Sequence, residues 1–228
     1  MVEWTAQGFR DILAIRHDGL ASRSASMDEV STVSDLLFFT DTETTGIPDF
    51  NKPAEAEGQP RVASMAGVLV RRSDREIISF YNLPIKPDGW VMSAELEKIH
   101  GLSHEFLCQH GVKMACVLDL YEHMLEQGAV IVAHNAQFDL KMMRGELRRA
   151  GRPDLFENTW RICTYRQSPD DCKHARGNKR LGTMYEYYTG QKPKNAHRAI
   201  GDVQMLRQMF FAMEDKGINL QAQLVAQK

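Results

Sequence analysis

Leu36-Leu37-Phe38-Phe39-Thr40-Asp41-Thr42-Glu43-Thr44-Thr45-Gly46 is the stretch on which the fold turns. Its first part, Leu36–Thr40, is a short apolar run of the buried-strand type. Side chains at i and i+2 of a strand share a face, so Asp41 and Glu43 at its end can converge on one point. Two carboxylates held together repel unless positive charge lies between them, and hard oxygen donors suit Mg²⁺ or Mn²⁺. A lone Asp-x-Glu is also what an ordinary solvated strand end looks like, so its meaning depends on what the rest of the chain supplies.

Working outward, Val62–Val70 and Ile77–Ile85 read as two further strands joined by a turn at Arg71-Arg72-Ser73-Asp74. Ile47–Pro60 is a polar loop ahead of them. Ser93–His100 reads as a short helix, and Val117, Leu120, Tyr121, Met124 and Leu125 have helical spacing up to Gly128. Ala129–Ala133 is another buried strand. Phe138, Met142, Leu147 and Ala150 mark the next helix, followed by a short strand at Trp160–Thr164 and a long polar loop over Tyr165–Arg180. Leu181–Tyr188 and the stripe Ile200, Val203, Leu206, Met209, Phe210 and Met213 give the last two helices. Strands first and then alternating helices and strands predict an α/β domain with a mixed sheet.

The chain has 228 residues with 43% hydrophobic and 25% charged side chains, the composition of a globular domain large enough to fold without a staple. Residues 1–34 read as an N-terminal appendage with a short amphipathic helix and a small-residue linker, 35–217 as the main domain and 218–228 as a C-terminal tail. No apolar run approaches the ~20 residues that span a bilayer, and the N-terminus lacks the apolar core of a signal peptide. The four cysteines, Cys108, Cys116, Cys163 and Cys172, form no Cys-x-x-Cys pair. They read as reduced thiols, which gives a cytoplasmic expectation.

Two more carboxylates could join Asp41 and Glu43. Asp139 follows the strand Ala129–Ala133, and strand ends are where ligands collect in α/β sheets. Asp202 lies beside the apolar stripe of the last helix. His197 precedes Asp202 by five residues, which on one helix would set them about 140° apart. The two can meet only if His197 sits ahead of the helix or in its first turn.

Taken together, Asp41-Thr42-Glu43-Thr44-Thr45-Gly46, His134-Asn135-Ala136-Gln137-Phe138-Asp139 and His197-Arg198-Ala199-Ile200-Gly201-Asp202 resemble the three motifs of the DEDDh (DnaQ-like) 3′–5′ exonuclease superfamily, in order and spacing. The resemblance covers about residues 35–215 and is closest to proofreading-type members and their phage relatives. It implies a ribonuclease H-like mixed sheet flanked by helices on both faces. It also implies that Asp41, Glu43, Asp139 and Asp202 hold two Mg²⁺ or Mn²⁺ ions, which clamp the attacking and leaving oxygens of a phosphodiester. His197 would be the general base, and nucleoside 5′-monophosphates would leave from a 3′ end.

By the same resemblance, Glu95 and His100 embrace the terminal nucleotide, Thr44, Thr45 and Gly46 present backbone groups to its sugar, and Asn135 belongs to the substrate-binding set. The substrate implied is single-stranded DNA or a frayed 3′ end. Polymerase or clamp subunits are candidate partners, a membrane is not, and the oligomeric state stays open. An exoribonuclease on the same scaffold and a non-catalytic nucleic-acid-binding module are the alternatives. Two departures stand out. Ser64 occupies a place where relatives usually carry Glu or Gln, and Asp49–Pro60 lengthens the loop beside the site.

The formal charge of −2 by itself disfavours a polyanionic partner, but it is an average over opposites. Residues 1–143 hold 12 basic and 21 acidic residues, whereas 144–198 hold 13 and 6. Two dications at the four carboxylates would move the total from −2 to about +2. The basic stretch, including Arg161, Arg166, Lys173, Arg176, Lys179 and Arg180, then reads as a track for a phosphate backbone.

Overall fold

The computed structural model describes residues 34–153, 155–169, 179–193 and 197–225. The N-terminal appendage expected over 1–34 and much of the basic stretch, including Lys173 and Arg176, lie outside the described residues.

Among the described residues, six strands form one mixed sheet in the order β3-β2-β1-β4-β5-β6. They are β1 (Leu36–Thr44), β2 (Val62–Arg71), β3 (Ile77–Pro84), β4 (Val130–Ala133), β5 (Trp160–Cys163) and β6 (Gln223–Leu224). The first three run antiparallel as a meander, β4 and β5 lie parallel to β1, and β6 closes the far edge antiparallel to β5. The helices are α1 (Ala94–His100), α2 (His104–His110), α3 (Met114–Glu126), α4 (Gln137–Arg149), α5 (Thr164–Gln167), α6 (Leu181–Thr189) and α7 (Ala199–Asp215).

The period of two along the strands separates two cores. Leu37 and Phe39 of β1, with Val68, Val132 and Ile162, pack against α6 and α7. Phe38, with Met65, Leu69, Ile131 and Ala133, packs on the other face against α3 and α4. Each buried Leu or Phe side chain contributes roughly 1.5–3 kcal/mol, so β1 is held in register from both sides. Gly67 on β2 is where the rings of Phe38 and Tyr81 meet: a Cβ there would lie 2.5 Å from one ring and 2.7 Å from the other.

Several details differ from the sequence expectation. β1 continues through Thr44 instead of ending at Thr40, because β2 keeps pairing with it through Asp41, Thr42 and Glu43. The polar stretch after β5 begins with the short helix α5, capped by no side chain. α2, with its Ser103 N-cap, carries the apolar Phe106 and Leu107 on too short a segment to show periodicity. The segment from 218 onward is no free tail over its described part. Leu220 and Val225 are buried, and Gln223–Leu224 pair with β5.

The loop between β1 and β2 is tied down. Glu146 on α4, 1% exposed, accepts from both Nε and Nη2 of Arg61 at 2.9 Å and from the backbone of Val62 at 3.1 Å. The Gln59 side chain braces the loop from within, bonding Asp49 and Pro53. A Cβ at Gly145 would lie 2.5 Å from the Ala54 carbonyl, so the missing side chain lets the loop lie against α4.

Candidate active site

The alternation that buries Leu37 and Phe39 carries on past them. Asp41 and Glu43 therefore face the side of the sheet covered by α7, where Asp202 occupies the first helical turn. Oxygen atoms of Asp41, Glu43 and Asp202 lie within 4.8 Å of one another. The donor set is all hard oxygen, half-buried and held by a strand and a helix, which fits a divalent cation of the Mg²⁺ or Mn²⁺ type.

Asp139 reaches the same place from the opposite face of the sheet. It sits in the first turn of α4 and is 4% exposed. Its Oδ1 accepts from the Thr42 backbone N–H at 3.1 Å and from the Thr42 hydroxyl at 2.8 Å. This anchoring keeps Asp139 out of the three-carboxylate cluster while leaving it close enough to repel Asp41 and Glu43.

The electrostatics are those of a cluster short of positive charge. Burial, then Asp139, Asp202 and Glu43, hold the Asp41 carboxyl well above the usual range. Burial, then Asp202 and Asp139, push Glu43 up to about 7. Burial raises Asp139 to about 7 against the opposing bonds from Thr42. Burial also raises Asp202 to about 6, with His197 working the other way. A shift of one unit corresponds to about 1.4 kcal/mol between protonation states, so bound cations would relieve substantial strain.

His197 stands two residues ahead of α7, exposed, in a left-handed conformation (φ 63°). Its backbone N–H donates to Asp202 Oδ2 at 3.1 Å. The turn solves the spacing problem posed by five residues on one helix, since the backbone bends before the helix starts.

The remaining expected substrate residues are spread more widely. The Thr44 hydroxyl donates to the Gly46 carbonyl at 2.7 Å. The Thr45 backbone N–H donates to Arg61 O at 2.9 Å, and its hydroxyl accepts from Arg61 N at 2.8 Å, so these groups serve the loop. Asn135 is exposed in a left-handed turn (φ 66°), its carbonyl accepting from Phe138 N–H at 2.8 Å. Glu95 lies exposed in the first turn of α1. His100 lines a pocket of about 270 Å³ beside Glu43, together with Ser64, Leu102, Phe106 and Arg198. That ring is 4% exposed; its Nδ1 accepts from Leu102 N–H at 3.2 Å, and its Nε2 has no partner among the described residues.

Two contacts at the site are not visible in the sequence. One is the hold of Thr42 on Asp139, since Thr42 faces the opposite side of β1 from Asp41 and Glu43. His134 makes the other. Its Nε2 donates to the Lys179 carbonyl at 2.7 Å, which leaves Nδ1 to accept from the Thr164 hydroxyl at 2.9 Å. Burial lowers it to about 4, so the ring is a neutral strut between β4 and the basic stretch.

The exonuclease family model of the RNase T type matches residues 38–210. The chain is 28% identical over 187 residues to the DNA polymerase III subunit epsilon of Salmonella typhimurium, covering 81% of this chain and 73% of that one. It is 26% identical over 196 residues to Three-prime repair exonuclease 1 of Bos taurus, covering 73% of this chain but only 60% of the relative. The nuclease domain of 3′hExo, a DEDDh family member, superposes with a TM-score of 0.64 at 13% identity, over 84% of this chain and 98% of that one. The fold is thus ribonuclease H-like α/β, and the chain belongs to the exonuclease family.

Proposed function

We propose that the protein is a metal-dependent 3′–5′ exonuclease that removes nucleoside 5′-monophosphates from DNA 3′ ends. The observation that carries this reading is the convergence of Asp41, Glu43 and Asp202 within 4.8 Å, with Asp139 behind them. Bound there, divalent ions supply positive charge for the phosphate oxygens and a more acidic water. The chain's own residues do the rest. Asp41, Glu43 and Asp202 would hold the ions, with Asp139 as the fourth carboxylate beside them; Thr42 fixes the carboxylate of Asp139.

His197, exposed beside Asp202, takes the proton of the attacking water. An imidazole suits proton transfer near neutral pH, and a positioned base of this kind contributes about 10²–10⁴-fold. DNA as substrate is supported by the similarity to the polymerase III epsilon subunit. The pocket beside Glu43 supports a place for the terminal nucleotide near His100.

The test is direct. Purified protein is incubated with 3′-mismatched DNA and with RNA, each with Mg²⁺, Mn²⁺ or EDTA. Metal-dependent release of deoxynucleoside monophosphates is expected, and Asp41→Ala abolishes it. Release from RNA alone rejects the DNA reading; no release from either rejects the enzyme reading.

A further inference from the structure

Arg198 stands at the N-cap of α7, directly after His197, with an extended backbone (φ −135°, ψ 124°). Its carbonyl accepts from Asp202 N–H at 3.0 Å, so its main chain is fixed by the helix. Its side chain leaves the helix altogether. The guanidinium lies against Gly101, the residue that closes α1, with Nη2 3.5 Å and Nε 4.0 Å from the position a Cβ would take there. Arg198 thus reaches from α7 to the end of α1 and forms part of the wall of the pocket beside Glu43.

This cation is not spent on the protein. Arg61, Arg72 and Arg152 are each tied to a carboxylate, on Glu146, Glu214 and Glu122. Arg198 is exposed, and its guanidinium makes no hydrogen bond or ion pair among the described residues.

The pocket it faces has two characters. Glu43 and Ser64, opposite each other in the β1–β2 register, give it a polar end toward the carboxylate cluster. Leu102, Phe106 and Ile200 supply apolar wall, and Phe106 is 41% exposed. At about 270 Å³ it lies at the small end of ligand pockets, with room for one nucleoside. A terminal nucleotide whose phosphate sits at the carboxylate cluster delivers its sugar and base here. An anion is a poorer match for Arg198 in this place, because Glu43 lines the same pocket. A guanidinium is planar and weakly hydrated, and it stacks on π-faces as readily as it pairs with anions.

We propose that the guanidinium of Arg198, together with the Phe106 ring, stacks on the base of the 3′-terminal nucleotide and holds it in this pocket. The role rests on the exonuclease reading of the site and adds to it what recognises the last base. Stacking needs a π-face and no hydrogen-bond pattern, so all four bases satisfy it. It also needs that face free, so a terminal base must leave its neighbour and its complement before it can enter.

Two measurements test this role. The first is calorimetric binding, in Mn²⁺, of dAMP against 2-deoxyribose 5-phosphate, the same ligand without its base. Wild type is expected to bind dAMP roughly 10-fold more tightly, and Arg198→Ala to lose that difference with deoxyribose phosphate binding unchanged. The second is cleavage, in Mg²⁺, of single-stranded DNA ending in an ordinary nucleotide or in an abasic tetrahydrofuran residue. Arg198→Ala is expected to lower kcat/KM roughly 10-fold on the ordinary end, through KM, and to leave the abasic end at the wild-type rate. Arg198→Lys keeps the charge without the plane and is expected to behave as Arg198→Ala in both measurements. Recovery in Arg198→Lys, equal loss on both ends, or a dAMP preference that survives in Arg198→Ala overturns the role of Arg198. Base-dependent binding lost in Arg198→Ala, with neither end cleaved by wild type, supports the stacking and rejects the exonuclease reading.

Discussion

Thr42 holds Asp139 with two donors on one oxygen, its backbone N–H at 3.1 Å and its hydroxyl at 2.8 Å. The bond lies on the α4 side of the sheet, because Thr42 points away from the face on which Asp41 and Glu43 sit. Hydrogen bonds to a charged group are worth about 1.5–3 kcal/mol, so losing the hydroxyl should matter. Thr42→Val is expected to lower turnover roughly 10- to 100-fold by that energy and to raise the Mn²⁺ concentration needed for half-maximal rate. Thr42→Ser should keep most of both. Calorimetric Mn²⁺ binding checks the second effect without reference to catalysis; unchanged binding in Thr42→Val would refute it.

The carboxylate cluster makes the metal-free protein sensitive to pH. Glu43 and Asp139 titrate near 7 and Asp202 near 6 in the folded chain, against about 4 when unfolded. Between those limits the folded state binds more protons than the unfolded one, so stability falls as pH rises. In EDTA the melting temperature should therefore drop from pH about 4 to pH about 7, by the part these groups contribute. Glu43→Gln is expected to flatten that slope and to melt higher than wild type at pH about 8. Thermal scans across pH with EDTA or Mg²⁺ measure it, the metal reducing the slope in wild type.

For His197, the split between rate and binding is the informative quantity. His197→Ala should lower single-turnover cleavage by about 10²–10⁴-fold while DNA affinity and Mn²⁺ affinity change little. Loss of metal affinity in step with rate would mean that the residue acts through the backbone bond to Asp202 instead.

Glu146 anchors the loop between β1 and β2 from a position 1% exposed, with Arg61 forked against it. Removing one member of such a buried pair strands the other, at about 3–5 kcal/mol. Glu146→Ala should lose stability of that order in urea unfolding. Protease cleavage between Asp49 and Pro60 should accelerate in the native protein. A variant as resistant as wild type would show that the Gln59 brace alone holds the loop.

The parts of the molecule that follow a period were readable in the sequence. The apolar run before Asp41 and the stripe ending at Met213 place β1 and α7, and with them Asp41, Glu43 and Asp202. His197 was singled out by its motif, and its spacing from Asp202 left a place ahead of the helix or in its first turn; the structure has it in a left-handed turn two residues ahead of α7. What the sequence hid depends on pairing across long separations. The bonds of Thr42 to Asp139 and of His134 to Lys179 link positions that no local pattern connects. The burial of Leu220 and Val225, and the short pairing of Gln223–Leu224, follow from a free sheet edge at β5 and from nothing in the segment itself.

Asp139 comes from a helix packed on one side of the sheet and Asp202 from a helix packed on the other, and they meet only at the tip of β1. A half-collapsed chain, with one layer docked and the other loose, lacks the full acidic set. The acidic set therefore reports on the docking of both layers at once, and loosening either one disperses it.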